Sequence, residues 1–179
     1  MDGSVEQIVV TGAQGQLGVT VIKRLVKAGQ SVLAVDRVPM NDWKVSPAIR
    51  LDLANIDEGY CWPESVQTVL HLAGYRNIIS ATADELRSLL EANVLSLAGA
   101  LAACGDNIRQ FVFVSSMSVY AADAHVPTPE TGPVNPDTTY ALSKWLGSRR
   151  ARSTECSGLR WGVPLFALPK SMAQGVLII

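Results

Sequence analysis

The sequence has no excess of charge of either sign: 15 Lys and Arg stand against 16 Asp and Glu, a formal net charge of -1. Without a basic surplus it carries no electrostatic footprint for nucleic acid or an anionic membrane. The short basic run at Arg149, Arg150 and Arg152 reads as a solvated helix end. Cysteine is scarce, and Cys61, Cys104 and Cys156 lie far apart with no C-x-x-C pair. That argues against a zinc site, so no metal is expected, and it points to reduced thiols in a cytoplasmic protein. The first seven residues are polar and acidic, without the basic and apolar regions of a signal peptide. No apolar run approaches the length of a membrane span. What is present is a chain of 179 residues, 48% hydrophobic and 17% charged, which fits one globular domain over residues 1–179.

Short apolar runs alternate with longer helical periods. Residues 8–11 read as a buried, β-branched strand, and strands are also expected over 31–36, 48–51, 66–72 and 110–115. A helix is expected over 17–28, with Val21, Ile22, Leu25 and Val26 inward and Gly29 as its left-handed stop. The longest helical pattern covers 82–104. Thr82 and Glu85 have capping-box spacing, Leu86, Leu90, Val94, Leu97 and Leu101 form a stripe, and Gly105 can end it. Residues 121–136 read as a long loop, residues 137–152 as a helix, and 159–168 as a further strand weakened by Pro164. This rhythm predicts an α/β fold, a doubly wound parallel sheet with helices on both faces, whose ligands bind beyond the carboxyl ends of the strands.

Thr11-Gly12-Ala13-Gln14-Gly15-Gln16-Leu17-Gly18 follows the first strand and opens a helix. The glycines permit a tight turn, backbone approach to a pyrophosphate and close helix packing, and the helix N-terminus offers free N–H groups to phosphate. The spacing, G-x-x-G-x-x-G, is one residue longer than the common dinucleotide fingerprint. Asp36 ends the second strand, where a carboxylate accepts hydrogen bonds from the adenosine ribose and repels a 2′-phosphate. That favours NAD over NADP, although Arg37 beside it can meet such a phosphate instead. Asp52 reads either as a partner for the adenine amino group, with Leu53 supplying backbone, or as a turn acid. Leu72, Ala73 and Gly74 would let the adenosine half lie flat, and His71 reads as a packed histidine.

Tyr140 and Lys144 are four apart on one helix and share a face. A free phenol, with its pKa near 10, is a poor base at neutral pH, and a nearby ammonium favours its ionised form. Tyr140 can then take a proton from a substrate hydroxyl. Ser116 reads as a holder of the substrate oxygen or as a strand-end turn. Asn93, polar on an apolar face, reads as a satisfied core amide or as the anchor of a water leading to Lys144.

Taken in order, these residues resemble the short-chain dehydrogenase/reductase superfamily, and most of all its extended, NAD-dependent epimerase/dehydratase branch. The resemblance rests on 10–18, 35–37, 51–53, 71–74, Ser115-Ser116-Met117-Ser118-Val119-Tyr120 and Tyr140-Ala141-Leu142-Ser143-Lys144. It implies a Rossmann fold with NAD bound by Gly12, Gln14, Gly15, Gln16, Leu17, Gly18, Asp36, Arg37, Asp52, Leu53, Leu72, Ala73, Gly74, Tyr140 and Lys144. It also implies Ser116, Tyr140, Lys144 and Asn93 as the catalytic set, a sugar or nucleotide-sugar hydroxyl as substrate, and a homodimer. From about residue 150 the chain departs from the family pattern, and the substrate domain that family members add is expected to be absent. Three readings follow: an epimerase/dehydratase or dehydrogenase, a non-catalytic NAD-binding domain, and a truncated inactive fragment.

Overall fold

A computed structural model describes residues 6–39, 47–76, 82–153 and 175–178. In chain order the elements are β1 (Gln7–Thr11), α1 (Gln16–Lys27), β2 (Ser31–Asp36), β3 (Ala48–Arg50), β4 (Val66–His71), α2 (Ala83–Leu90), a π-helical turn (Glu91–Leu95), α3 (Ser96–Ala102), β5 (Gln110–Phe113), α4 (Thr139–Ser153) and β6 (Gly175–Ile178). The six strands form one sheet in the order β3-β2-β1-β4-β5-β6, and every pair is parallel. The strand expected at 159–168 lies outside the described residues. The sixth strand, Gly175–Ile178, was not anticipated from sequence.

Both faces of the sheet are covered, which explains the continuous apolar runs. Val9, Leu33, Val35, Val69, Phe111 and Phe113 turn to one side and pack with Leu97 and Leu101 of α3. Val10, Ala34 and Val32 turn to the other and pack with Ile22 of α1. The exit from α1 is a Schellman turn: Gly29 has φ +76°, and its N–H and that of Gln30 return to the carbonyls of Val26 and Leu25. The inner face of α1 is narrower than expected, because Val26 is 47% exposed.

The long helix differs more. The capping box at Thr82 and Glu85 forms as expected. The face turned to the core then runs through Leu89, Asn93, Leu97 and Leu101, while Leu86 is 44% exposed. The cause is the turn at Glu91–Leu95, whose wider winding inserts an extra residue and rotates the helix before it relative to the helix after it. The helix also ends at Ala102, short of Gly105. α4 begins at Thr139, later than expected, because Thr138 caps it: its Oγ1 accepts from the Ala141 N–H at 3.1 Å.

Candidate active site

The sheet order reverses direction between β1 and β4, and the crevice of such a sheet opens at the carboxyl ends of those strands. Gly12 leaves β1 with φ +66°, and a Cβ there would stand 2.7 Å from the backbone of Ala73. A Cβ at Gly18 would collide with the carbonyl oxygen of Gly12. Only glycine lets the loop, β4 and α1 approach so closely. α1 has Gly15 as its N-cap, with no side-chain cap and no acid in its first turn, so no side chain of that turn competes for its leading N–H groups. Gln16 and Leu17 lie in that first turn.

A cleft of about 290 Å³ extends from the glycine loop along the ends of β2, β3 and β4. Among the expected residues, Gly12, Gln14, Gly15, Asp36, Arg37, Asp52, Leu53, Leu72, Ala73 and Gly74 line it. Glu91, Ala92 and Ser96 of the long helix complete the wall and were missed from sequence. Asp36 accepts the Gln14 N–H on Oδ2 (2.9 Å) and the Val38 N–H on Oδ1 (3.1 Å). Asp52 serves its own turn: Oδ1 accepts from the Ala54 N–H at 3.1 Å, and Oδ2 from the Asn55 amide at 2.9 Å.

Gly74 connects this cleft to the second group of residues. A Cβ on it would lie 2.9 Å from Asn93 Oδ1 and 3.0 Å from Lys144 Nζ. Lys144 is only 7% exposed; its Nζ donates to the Val114 carbonyl at 3.2 Å and lies 5.2 Å from the Phe113 ring centroid. Burial pushes its ammonium down to about 8. His71 is held down to about 3, first by burial and then by the Lys144 charge, so it stays neutral. Its ring stacks on Phe111 and Phe113, and its Nδ1 pairs with Thr11 Oγ1 at 3.0 Å. Thr11 Oγ1 also accepts the Ala73 N–H at 3.2 Å. His71 is therefore the packed histidine expected, tying β4 to β1 beneath the cleft.

Asn93 is fully buried, and both of its amide donors are used. Nδ2 donates to the Tyr75 carbonyl and to Ser143 Oγ, both at 2.9 Å, while Oδ1 accepts the Tyr75 N–H at 2.7 Å. Ser143 in turn donates to the Tyr140 carbonyl at 2.7 Å. Asn93 thus clamps the loop after β4 to the helix that carries Tyr140 and Lys144. In that loop Arg76, which sequence did not single out, places its guanidinium 5.8 Å from the Tyr140 ring centroid. Ser116 opens a tight turn over Met117–Val119; its Oγ meets Ser118 Oγ at 2.6 Å and accepts the Ser118 N–H at 3.3 Å. That turn packs on α4, and Ser115 Oγ meets Ser148 Oγ at 2.9 Å. Tyr140, Lys144 and Asn93 are thus drawn into one linked group, and Ser116 sits at its margin in a turn of its own. Among the described residues no cluster of His, Cys, Asp or Glu could hold a metal, and no helix is long and apolar enough to cross a membrane.

Sheet order, glycine loop and the Tyr140–Lys144 helix together define a Rossmann-type domain of the short-chain dehydrogenase/reductase superfamily. Within it, the chain belongs to the NAD dependent epimerase/dehydratase family, whose pattern matches residues 8–161. It is 33% identical over 165 residues to a GDP-6-deoxy-D-mannose reductase of Pseudomonas aeruginosa, covering 88% of this chain and 48% of that protein. It is 26% identical over 147 residues to a UDP-glucose 4-epimerase of Lactobacillus helveticus, covering 78% of this chain and 44% of that one. Among solved structures, an NAD-dependent NDP-hexosamine 5,6-dehydratase involved in tunicamycin biosynthesis superposes with a TM-score of 0.70 at 26% identity, covering 85% of this chain and 51% of that one. A short-chain dehydrogenase/reductase superfamily protein from Agrobacterium tumefaciens with bound NAD gives 0.66 at 26% identity, covering 82% and 44%. The chain spans less than half the length of these two curated relatives.

Proposed function

We propose that this chain is the cofactor-binding and proton-transfer portion of an NAD-dependent enzyme that oxidises a hydroxyl of a sugar or nucleotide sugar, as an epimerase/dehydratase or a dehydrogenase. The observation that carries this reading is the burial of Lys144 Nζ at Gly74, where the cleft meets the helix of Tyr140. The residues fit a dinucleotide. The cradle at Gly12 and Gly18 is one that a Cβ would fill, and α1 presents a bare N-terminus. Bound there, NAD supplies the hydride acceptor. Tyr140 removes the hydroxyl proton, Lys144 supplies positive charge from one turn along α4, and Ser116 holds the substrate oxygen. The likeness to a UDP-glucose 4-epimerase and a GDP-6-deoxy-D-mannose reductase supports a nucleotide sugar as substrate. We further propose one domain over residues 1–179, a cytoplasmic location and a homodimer. The exposed Leu86, Leu95 and Leu142 on the long helix and α4 support the dimer.

Calorimetric titration with NAD, followed by product assays on UDP- and GDP-sugars, tests the proposal. Binding together with a turnover lost in Tyr140→Phe is expected. A turnover that survives Tyr140→Phe removes Tyr140 as the base. A rival reading, a non-catalytic NAD-binding domain, predicts NAD binding with no conversion of any sugar nucleotide.

A further inference from the structure

The turn that follows Asp36 is stapled to the glycine loop by a single residue. Gln14 donates its backbone N–H to Asp36 Oδ2 at 2.9 Å, and its side-chain amide donates to the carbonyls of Val38 (3.2 Å) and Pro39 (2.7 Å). The same turn is pinned on its far side, where Arg50 Nε donates to the Arg37 carbonyl at 3.2 Å. We propose that Gln14 is a specificity-determining residue, which locks the Asp36–Pro39 turn against the glycine loop so that the cleft admits NAD and rejects NADP. The inference rests on the NAD reading above and concerns its adenosine end.

The chemistry is that of donors against acceptors. Asp36 spends one acceptor site of each oxygen on the Gln14 and Val38 N–H groups and keeps others for ribose hydroxyls, which are donors. A 2′-phosphate brings acceptors and charge, and it meets a carboxylate held in place. Arg37 lines the same cleft, and Arg50 Nε holds its carbonyl, so the backbone that carries this cation is pinned together with the turn. The cleft lining adds to the bias, with Asp36, Asp52 and Glu91 against Arg37 alone. A second phosphate group is disfavoured there by charge as well as by fit. On this account Asp36 is not the whole determinant, because the turn that aims it belongs to Gln14.

The test is calorimetric titration of the full 179-residue chain with NAD and with NADP. The variants are Gln14→Met, which keeps the length of the side chain and removes its donors, and Gln14→Ala. The wild-type chain is expected to prefer NAD. Both variants should narrow the ratio of NADP to NAD dissociation constants on the order of tenfold, as the loss of two neutral hydrogen bonds implies. Without any nucleotide, hydrogen exchange at the Val38 amide should quicken in Gln14→Met. A wild-type chain that prefers NAD, with Gln14→Met keeping the wild-type ratio, overturns the staple and leaves the NAD reading standing. A wild-type preference for NADP also overturns the staple. A wild-type chain that binds neither dinucleotide overturns the cofactor reading and the inference with it.

Discussion

Two buried bases give the site a pH signature. Lys144 drops from 10.5 to about 8 because burial disfavours its ammonium, so the folded state holds fewer protons than the unfolded chain between those values. Stability therefore rises as pH climbs from about 8 towards 10.5, and Lys144→Met should be the more stable protein at pH 7 while losing turnover. Urea midpoints of the two proteins at pH 7 and pH 10 check this: the gap at pH 7 should shrink at pH 10. His71, lowered from 6.5 to about 3 by burial and then by Lys144, acts with the same sign in a lower window. Its contribution is whole above 6.5 and is lost as pH falls towards 3, a slope that His71→Asn should flatten in the same urea titration. Tyr140 and Lys144 were legible because a four-residue spacing on a helix is local information. Arg76 and Ser143 were not. Arg76 meets Tyr140 across a fold-level contact, and Ser143 resembles any helix serine until its bond from Asn93 is seen.

Among the elements, the first five strands and α1 were legible to within a residue or two, since β-branched runs and a glycine stop are local signals. The π-turn was not. Leu86, Leu90 and Val94 fit a straight α-helix, and nothing in their spacing announces the wider turn at Glu91–Leu95 or the exposure of Leu86. That turn has a testable consequence. Asn93→Ala removes three hydrogen bonds that join the Tyr75 backbone to Ser143, leaving buried partners unmet. It should cost about 1–3 kcal/mol in a denaturant titration. Loss of the Arg76–Tyr140 pairing should appear as altered tyrosine chemical shifts. Asn93→Asp should rescue only in part, because a carboxylate cannot donate to the Tyr75 carbonyl. The Asp52 turn was legible in outline as one of two alternatives, and the bonds to Ala54 and Asn55 show the turn role directly.

For the molecule as a whole, the parallel sheet and its crevice followed from the alternation of strand and helix, whereas the sixth strand did not; it lies beyond residues 8–161, which match the family. A dinucleotide that binds only the folded chain raises its stability by mass action, about 2.7 kcal/mol at a hundredfold excess over Kd. Thermal melts with and without NAD should show that rise, and Asp36→Ala should diminish it. Light scattering tests the proposed dimer: Leu86→Glu combined with Leu142→Glu should give a monomer whose melt no longer depends on protein concentration.

Gly74 is the point at which the two halves of the site share a wall. The space above its α-carbon is bounded by an amide oxygen and an ammonium about 3 Å from where a methyl group would stand. Gly74→Ala would therefore delete no functional group and break no hydrogen bond of its own. It would act as a wedge, pushing Lys144 away from the cleft and prying Asn93 from Tyr75. A chain altered in that way should still recognise the adenosine end of its ligand, while the cation that serves Tyr140 is displaced.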